Sequence, residues 1–539
     1  MKIYVAGTLD TLRTIAKKLH IELDTMITLN PRISGPDVPL AGMHVNLPRT
    51  QKPSPAPQQG LSATSISPVS TVDWIPITSL EKMSQTEYDV LIVGTGAGGG
   101  AVLWRLCQQW GNNGKKIGVI EAGELLLPTN LLNIQTMNTQ RYLDIAYHDP
   151  KFAIPIPGTR FRKVIALGGR TLGWSALSPR MYIANSDWPV QELEMDRYYS
   201  IAEQVMCVTD DYSKGSPINQ IYLNRLWNSP YFDAMNEPMA VDLEPTKYGE
   251  IHSNVFFSSI TFLAQALNRR PYDLAVLSRA VRVLTNKGKA EGVQVMTPDK
   301  RSFNLKAKYV VLSASTVETP RILLNSGIHG RAIGHYLTNH SNAAGRALIH
   351  RKDYPYVLGT IGILIPESKE RPYQVQIEGP IDYRFYFDKQ IPFKEQMELQ
   401  IIGVGRVESR FENQITLDPH ARDEYGMPQV QVRLDYNETD QTILRQSAQA
   451  VRQITDLLGA PLISLSFQES LAGDHESGTC RMGLDPETSV TGRYGQVHGI
   501  SGLYVADNSV LPFLGAANPT LTTVALAMRT ADYLARTLS

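Results

Sequence analysis

The chain has 539 residues, more than a single hydrophobic core usually organises, so more than one domain is expected. Lysine plus arginine equals aspartate plus glutamate, and this zero formal charge shows no electrostatic footprint for nucleic acid or an anionic membrane. The three cysteines are far apart and no apolar run reaches the roughly 18 residues of a membrane span. A disulfide scaffold, a zinc knuckle and a membrane span are therefore not expected.

The first 48 residues predict a small strand–helix–helix–strand module. Its predicted elements are residues 3–5, 10–19, 23–29 and 45–47, and the second helix ends before Pro31 because a residue preceding proline disfavours helix. The segment resembles the LysM module, with one apparent extra residue between Gly7 and Asp10. The resemblance implies binding to glycans that contain N-acetylglucosamine, such as peptidoglycan or chitin. The alternative is a packing or oligomerisation module that has lost sugar binding.

The start of the chain has no pattern typical of an export signal. Met1 leads directly into the first predicted strand, without a basic stretch followed by an apolar segment, so no signal peptide is predicted. We expect either cytoplasmic residence or association with a wall or coat assembled inside a cell, such as a spore coat.

Residues 49–86 have the composition of a tether between two folded parts. The segment is rich in proline, serine and threonine and is too polar to bury a core of its own. Because proline restricts the backbone, a semi-extended linker is predicted.

A dinucleotide-binding unit is predicted to begin at residue 87. Residues 87–93 form an apolar run typical of a buried parallel strand, and Gly94-Thr-Gly96-Ala-Gly98-Gly99 follows directly. Gly94, Gly96 and Gly99 fit the G-x-G-x-x-G pattern, which provides a tight turn, close approach to a pyrophosphate and close helix–strand packing. A second strand ends at Glu121, at the position expected for the acid that binds ribose hydroxyls.

The middle of the chain alternates between this unit and inserted elements. Residues 164–174 predict a strand leading into a turn at Gly168-Gly169, and a helix is predicted at 193–208. Four strands that return to the cofactor unit are predicted between residues 274 and 312, followed by a helix at 317–326.

Residues 346–435 alternate apolar and polar residues between proline and glycine breaks, which predicts a mostly antiparallel sheet that shapes the substrate pocket. A helix is predicted next, at 437–459. The complete domain prediction is a LysM module at 1–48, a linker at 49–86, a cofactor domain at 87–345, a substrate domain at 346–470 and a C-terminal return at 471–539.

The C-terminal region contains the candidate catalytic residues. His475 lies beside the turn Gly478-Thr479, and Asn518 precedes Pro519 at the start of a predicted final helix, with Asn518 as the cap. A neutral imidazole, with an ordinary pKa of about 6.5, can take a hydroxyl proton. A carboxamide can hold the same oxygen without competing for that proton. His340 and His498 are assigned structural or surface roles, and Cys480 is assigned to the core.

Residues 87–539 resemble the glucose-methanol-choline (GMC) oxidoreductase family. The matching blocks are the glycine loop with Glu121, Gly168-Gly169 with the Trp188 block, residues 313–324, residues 334–340 and the C-terminal block. The C-terminal block is most similar to the pyranose oxidase branch, which includes bacterial glycoside oxidases. The resemblance implies an α/β fold, with a Rossmann-like FAD-binding domain and an antiparallel sheet in an α+β substrate domain.

The resemblance also implies roles for individual residues. His475 is the expected base and Asn518 its partner, where much of the family has a second histidine. Val281 is expected to meet the adenine through its backbone, and Asp507 to lie near the ribityl-pyrophosphate. The cofactor site is further expected to include Gly168, Gly169, Thr171 and Thr520. Fungal pyranose oxidases have a flavin-linked histidine where this chain has Gly173, so non-covalent FAD is expected.

The sequence therefore predicts FAD-dependent oxidation of a secondary hydroxyl of a sugar or glycoside, at C2 or C3. Three alternatives stay open: a sugar-acid or polyol dehydrogenase with a quinone or protein acceptor, a lyase with structural flavin, and a glycan-binding coat or wall protein with a vestigial enzyme. The substrate, the electron acceptor and the oligomeric state are left open.

Overall fold

The computed structural model describes residues 2–6, 10–19, 21–31, 33–41, 43–47, 75–183, 188–243, 245–246, 249–252, 255–354, 359–385, 387–468, 471 and 473–538. The chain forms two compact units, Met1–Ser70 and Thr71–Ser539. The loop at Gly7 and most of the predicted linker lie outside the described residues.

The smaller unit has the predicted strand–helix–helix–strand order. Its elements are β1 (Lys2–Val5), α1 (Leu12–Leu19), α2 (Leu23–Leu29) and β2 (His44–Leu47), with β1 and β2 antiparallel. The first helix begins later than predicted because the Thr11 hydroxyl accepts a hydrogen bond from the Thr14 amide (3.2 Å) and so caps it. Buried Asn30 joins α2 to β2, since its amide nitrogen donates to the Met26 and Asn46 carbonyls.

The larger unit contains nine helices among the described residues. They are α3 (Leu80–Ser84), α4 (Ala97–Trp110), α5 (Thr139–Leu143), α6 (Glu192–Met206), α7 (Pro217–Trp227), α8 (Ile260–Leu267), α9 (Ser315–Asn325), α10 (Glu438–Leu458) and α11 (Thr520–Thr537). Within this described part, no helix is both long enough and apolar enough to cross a bilayer.

The described strands of the larger unit form two main sheets, a short three-stranded sheet and three short pairs. In chain order they are β3 (Glu87–Val93), β4 (Ile117–Ile120), β5 (Ile154–Pro155), β6 (Arg162–Lys163), β7 (Val208–Thr209), β8 (Met235–Asn236), β9 (Met239–Asp242), β10 (Pro245–Thr246), β11 (Gly249–His252), β12 (Val255–Phe256), β13 (Asp273–Ala275), β14 (Arg279–Asn286), β15 (Lys289–Met296), β16 (Ser302–Leu312), β17 (His340–His350), β18 (Ile361–Ile365), β19 (Tyr373–Gly379), β20 (Gln396–Arg406), β21 (Gln414–Arg422), β22 (Pro428–Arg433), β23 (Leu462–Phe467) and β24 (Leu503–Val505).

The first main sheet has the order β13-β4-β3-β16-β15-β14, and β24 also pairs with β16. Strands β13, β4, β3, β16 and β24 run parallel, whereas β14 and β15 are antiparallel to their neighbours. Strand β3 is buried from Tyr88 to its end, as expected for a parallel strand covered on both faces. The carboxyl ends of β3, β4, β16 and β24 therefore meet at one edge, where α4 and α9 begin.

The second main sheet is antiparallel throughout, in the order β23-β17-β20-β19-β18-β8. This confirms the antiparallel sheet predicted after residue 346, although its strand β17 begins at His340 and it also recruits Met235–Asn236 and Leu462–Phe467. Helix α10 packs against one face, which is apolar. The opposite face is largely polar.

Some predicted boundaries need correction. Helix α10 is one residue shorter at each end because Asn437 and Asp440 form a capping box and Gly459 is left-handed (φ 63°). Helix α9 begins two residues earlier than predicted. Within the predicted linker, residues 80–84 form α3, whose Leu80 and Met83 are buried in the main core. The domain boundaries at 345 and 470 remain predictions.

Candidate active site

A cavity of about 780 Å³ lies between the carboxyl edge of the first sheet and the polar face of the second. This volume is in the range of about 300–1,000 Å³ that is typical of ligand pockets. The predicted site residues that line the cavity are Gly94, Gly96, Glu121, Gly169, Thr171, His475, Asp507, Asn518 and Thr520. Gly99, Gly168 and Val281 are not among its lining residues.

The glycine loop joins β3 to α4 and forms one wall of the cavity. Gly94 has a positive φ of 97°, which a side chain rarely adopts. A Cβ atom built on Gly96 would have no neighbour within 4 Å, so the backbone at this position is open to the cavity. Such an opening lets a pyrophosphate approach the backbone closely.

Two other glycines of the loop serve packing. A Cβ on Gly99 would lie 2.0 Å from the Gly94 carbonyl oxygen, and one on Gly98 would lie 1.8 Å from the Ala506 carbonyl oxygen. Both distances are shorter than any real contact. Gly99 thus has the predicted helix–strand role, and Gly98 brings α4 against the end of β24, which the motif alone does not indicate.

Glu121 directly follows β4 and holds the glycine loop. One carboxylate oxygen accepts hydrogen bonds from the Thr95 amide (2.9 Å) and hydroxyl (2.7 Å), and the other accepts from the Gly123 amide (3.0 Å). Burial raises the pKa of the carboxyl, and these hydrogen bonds oppose the shift. Glu121 lines the cavity at the predicted place, while its ribose contact remains a prediction.

Gly168, Gly169 and Thr171 form a turn against the same loop. The Gly168 amide donates to the Thr95 hydroxyl (3.0 Å), and the Thr171 hydroxyl donates to the Gly168 carbonyl (2.6 Å). Gly168 and Gly169 both have positive φ, 89° and 54°. Gly168 therefore holds Thr95 of the glycine loop without lining the cavity, whereas Gly169 and Thr171 line it.

Asp507 follows β24 and its carboxylate is fully engaged by the protein. One oxygen accepts from the Ser315 amide (3.0 Å) and the Thr319 hydroxyl (2.5 Å), and the other accepts from the Ser509 amide (2.9 Å) and hydroxyl (2.5 Å). Burial raises the pKa of this carboxyl. Asp507 thus ties the start of α9 to the loop beside the cavity.

Val281 lies on β14, one residue beyond the cavity wall. Its neighbour Ala280 lines the cavity, and the Val281 carbonyl accepts a hydrogen bond from the Asn325 side chain (2.8 Å). A contact between the Val281 backbone and an adenine remains a prediction.

His475 lines the cavity and is paired with a second histidine. Its Nδ1 lies 2.8 Å from Nδ1 of His340, and the two rings are nearly perpendicular. The Nε2 atom of His340 lies 3.1 Å from the Gly515 carbonyl oxygen. His340 is the first residue of β17 and is fully buried.

These contacts determine the protonation of both rings. A carbonyl oxygen only accepts, so Nε2 of His340 carries a hydrogen and, in the neutral ring, Nδ1 does not. Nδ1 of His475 must then donate to it. In neutral His475 the hydrogen is therefore on Nδ1, and Nε2 has a free lone pair that can accept a proton.

Both rings are neutral at ordinary pH. Burial lowers the pKa of His475 to about 4; the charge of Asp474 opposes this shift and that of Arg170 supports it. Burial, with a further contribution from His475, lowers the pKa of His340 well below 6.5. The pair thus presents an unprotonated nitrogen over a wide pH range.

Asn518 enters the cavity from the loop before α11. Its carbonyl oxygen accepts hydrogen bonds from the side-chain amides of Gln374 (2.9 Å) and Gln376 (3.0 Å). The predicted capping role of Asn518 is wrong, because α11 begins at Thr520, Pro519 occupies the cap position and no side-chain cap bond forms. The carboxamide is instead held by the antiparallel sheet.

Next to His475, the buried side chain of Glu476 forms an ion pair with Arg170 (2.6 Å). Its second carboxylate oxygen, Oε1, has no hydrogen-bond partner among the described residues, although Glu476 lines the cavity. Burial raises the pKa of this carboxyl, opposed by Arg170. An unpartnered buried acceptor in a cavity wall is suited to a hydroxyl of a bound molecule.

Gly173 leaves no room for a larger residue. A Cβ at this position would lie 2.7 Å from a ring carbon of Phe152, and the Gly173 carbonyl accepts a hydrogen bond from the Tyr142 hydroxyl (2.8 Å). The aromatic residues around the turn are therefore packed for glycine.

A glycine loop at the head of a parallel sheet, open to a cavity with a neutral histidine pair, is the arrangement of an oxidoreductase that binds a dinucleotide. Two GMC oxidoreductase family models match the chain, at residues 230–342 and 408–527. Over both segments the chain is an oxidoreductase similar to the GMC family, whose oxidases and dehydrogenases act on CH–OH groups.

Individual relatives are consistent with this assignment. The chain is 28% identical over 401 residues to a C-glycoside 3-oxidase from Arthrobacter globiformis, covering 69% of this chain and 74% of the relative. It is 23% identical over 440 residues to a pyranose 2-oxidase from Tricholoma matsutake, covering 72% and 76%. A structure of Aspergillus oryzae formate oxidase superposes with a TM-score of 0.61 at 15% identity, over 84% of this chain and 99% of that chain. This structural similarity shows that the two proteins share a fold.

GMC oxidoreductases are flavoproteins that bind FAD. The cavity fits such a group on three observations: the open space over Gly96, the unpartnered Glu476 oxygen and a volume suited to a large ligand.

Three residues of the site were missed from the sequence. His340 was assigned a structural role, although it ends one of the family blocks, residues 334–340. Gln374 and Gln376 lie within an alternating pattern that continues to Glu378, so every second residue of β19 is polar. That alternation is a signal of a polar sheet face, but it does not show which residue the face meets.

Proposed function

We propose that this protein oxidises a secondary hydroxyl group of a sugar or glycoside, at C2 or C3, to a ketone, with FAD held in the cavity. The two relatives, a C-glycoside 3-oxidase and a pyranose 2-oxidase, favour this substrate class. The observation that carries the proposal is that His475 and Asn518, distant in sequence, line the same cavity as the glycine loop.

Residues on the first sheet would hold the cofactor. The open backbone at Gly96 suits the pyrophosphate, and Glu121, at the end of β4, suits the ribose hydroxyls. Gly169, Thr171, Asp507 and Thr520 belong to the same wall, with Thr520 at the amino end of α11. That helix end carries a partial positive charge, which stabilises an anionic group nearby.

His475 would remove the hydroxyl proton. Its Nε2 atom has the free lone pair, because Nδ1 donates to His340. The substrate O–H bond breaks toward this nitrogen, and the ring becomes an imidazolium. His340 keeps the ring in the productive orientation throughout.

Bound FAD would supply the acceptor for the hydride of the carbon that carries this hydroxyl group. Asn518 would hold the substrate oxygen through its NH₂ group. The second face of the cavity is formed by side chains of β17, β19 and β20. Four of them would surround the sugar ring: Asn342, Glu378, Glu398 and Gln400.

The proposal is tested by mixing the flavin-loaded protein with a panel of sugars and glycosides in the absence of oxygen. Bleaching of the oxidised flavin absorbance by at least one of them is expected. If no member of a broad panel bleaches the flavin, the proposed oxidation is wrong. The same result would favour the lyase alternative, in which flavin is structural.

The electron acceptor is measured with the substrate found in that screen. Peroxide formation in air identifies an oxidase. Reduction of a quinone or dye without peroxide identifies a dehydrogenase, the main alternative within the same family.

The pH dependence of flavin reduction follows from the state of His475. Burial lowers its pKa to about 4, so the neutral, proton-accepting form persists down to that pH and is lost below it. We therefore expect the reduction rate to stay near its maximum as pH falls through 6.5 and to decrease only near pH 4. The measurement is stopped-flow reduction at saturating substrate. A decrease centred at 6.5 would show an ordinary histidine and contradict the assigned environment.

We propose that FAD is bound without a covalent link through position 173. Gly173 has no side chain to bond the flavin, and Phe152 occupies the space where one would begin. Denaturing the protein in acid and centrifuging it should leave the yellow flavin in the supernatant. A yellow pellet after washing would mean that another residue is bonded to the cofactor.

We also propose that residues 1–48 act as a LysM-type glycan-binding module. The strand–helix–helix–strand order of β1, α1, α2 and β2 supports this. The full chain should be retained on insoluble peptidoglycan, and a chain lacking residues 1–48 should not, while both keep their flavin. Equal retention of the two proteins would contradict the proposal and leave a packing role for this unit.

A further inference from the structure

The Asn518 carboxamide is held by two glutamines of one strand. Gln374 and Gln376 donate from their side-chain nitrogens to the same Asn518 oxygen, at 2.9 and 3.0 Å. Both are almost completely buried, with 1% and 6% of their surfaces exposed. Polar side chains buried to this degree are expected to make specific hydrogen bonds.

The strand places these two glutamines on one face. Side chains two residues apart on a β-strand point to the same side, so Gln374 and Gln376 both face Asn518. Val375 and Ile377, on the other side, belong to the apolar core under α10. Strand β19 is paired on both sides, by β18 and β20, so the register of the glutamines is firmly set.

The same sheet also holds the loop that leads to Asn518. Nε2 of His340 contacts the Gly515 carbonyl, and the Glu367 carboxylate accepts the Ala516 amide (2.7 Å). Burial raises the pKa of Glu367, and its hydrogen bond to Ala516 opposes that shift. Backbone and side chain of this segment are therefore both positioned by the sheet.

We propose that Gln374 and Gln376 are positioning residues that lock the Asn518 carboxamide with its NH₂ group toward the reacting oxygen. A carbonyl oxygen has two lone pairs, and the two glutamines occupy both. The carbonyl is thus unable to accept a hydrogen bond from the substrate hydroxyl, and Asn518 acts as a donor. This inference rests on the proposed function.

The chemistry explains why a locked donor is useful. As the hydroxyl proton moves to Nε2 of His475, negative charge develops on the substrate oxygen. A fixed N–H donor stabilises that charge, while a carbonyl oxygen in its place would repel it. The same carbonyl would also accept the hydroxyl hydrogen and draw it away from His475. Orientation of the amide therefore determines whether Asn518 assists or opposes the reaction.

The test is a double-mutant cycle on the flavin-loaded protein. Gln376→Met, Asn518→Ala and the double variant are compared with wild type for the limiting rate of anaerobic flavin reduction and for the apparent substrate dissociation constant. Gln376→Met should lower the limiting rate about tenfold, as expected for loss of one oriented hydrogen bond, and change the dissociation constant much less. In the Asn518→Ala background the same substitution should have no further effect. Gln374→Met should behave in the same way.

Two controls separate positioning from general damage. Gln294→Met, at a half-buried glutamine of β15 that bonds Ser302 and does not line the cavity, should retain the wild-type rate. If Gln376→Met loses flavin or folding, the isosteric Gln376→Glu replaces it. A carboxylate at this position accepts from the Asn518 NH₂ group and turns the amide around, so the rate should again fall.

Several outcomes would overturn the proposal. Additive losses in the cycle would mean that Gln376 contacts the sugar directly, and a wild-type rate in Gln376→Glu would mean that amide orientation is unimportant. Either result leaves the proposed oxidation intact, because the wild-type protein still reduces its flavin. Failure of wild type to be reduced by any sugar overturns the proposed function and this role together.

Discussion

Replacing His475 with alanine is expected to lower the rate of flavin reduction by a factor on the order of 10²–10⁴. The substitution removes the nitrogen that accepts the hydroxyl proton. No other cavity-lining side chain among the described residues is an imidazole oriented by His340. The glycine loop and Glu121 are untouched, so FAD should remain bound at the wild-type ratio. Stopped-flow reduction and the flavin-to-protein absorbance ratio measure the two effects.

A matched control is His498→Ala. His498 bonds the Ser489 hydroxyl (2.9 Å) and is not among the cavity-lining residues, so this variant should keep the wild-type rate. Wild-type reduction by His475→Ala would remove His475 from the mechanism. Loss of flavin from His475→Ala would instead assign His475 a role in binding the flavin.

Replacing Gly96 with valine is expected to weaken cofactor binding without unfolding the protein. Gly96 has φ −63° and ψ −169°, which valine adopts, and an added Cβ meets no protein atom within 4 Å. The side chain would project into the space where we place the pyrophosphate. Forced overlap of this kind costs about 1–3 kcal/mol, which raises the FAD dissociation constant by roughly 5- to 150-fold. Titration of flavin-free protein with FAD measures this dissociation constant.

Two other glycines provide contrasts. Gly215→Val, in an exposed turn with open space around the added Cβ, should bind FAD as wild type does. Gly99→Ala should fail to fold, since its methyl group would lie 2.0 Å from the Gly94 carbonyl oxygen. Wild-type FAD affinity in Gly96→Val would mean that the cofactor does not pass this loop.

Local features of the fold were predictable because they depend on neighbouring residues. The apolar run of β3, the glycine turn after it and the strand ending at Glu121 all have signals within a short segment. The alternating pattern of the second sheet was equally visible. The contributions of Met235–Asn236 and Leu462–Phe467 to that sheet were not, because strand pairing depends on contacts between distant segments.

The site was predictable at the positions where chemistry restricts residue type. His475 and Asn518 were both identified, and the structure places them in one cavity. The partner of each was missed for the same reason. His340 and the two glutamines act through contacts across more than one hundred residues, and their local sequence does not show which residue each one meets.

The capping error at Asn518 has a physical cause. Asparagine before proline is a strong local signal for a helix start. In this chain the side-chain oxygen is taken by two buried glutamine donors, so tertiary contacts override the local preference. Such departures from local rules are expected at functional sites.

Helix α11 packs on α4 and lines the cavity with its first turn, and this has a consequence for biosynthesis. The glycine loop is synthesised several hundred residues before residues 518–523 leave the ribosome. The nascent chain therefore has no complete pocket for the flavin during most of its synthesis. Cofactor loading must be a late event, completed only after the last helix has docked.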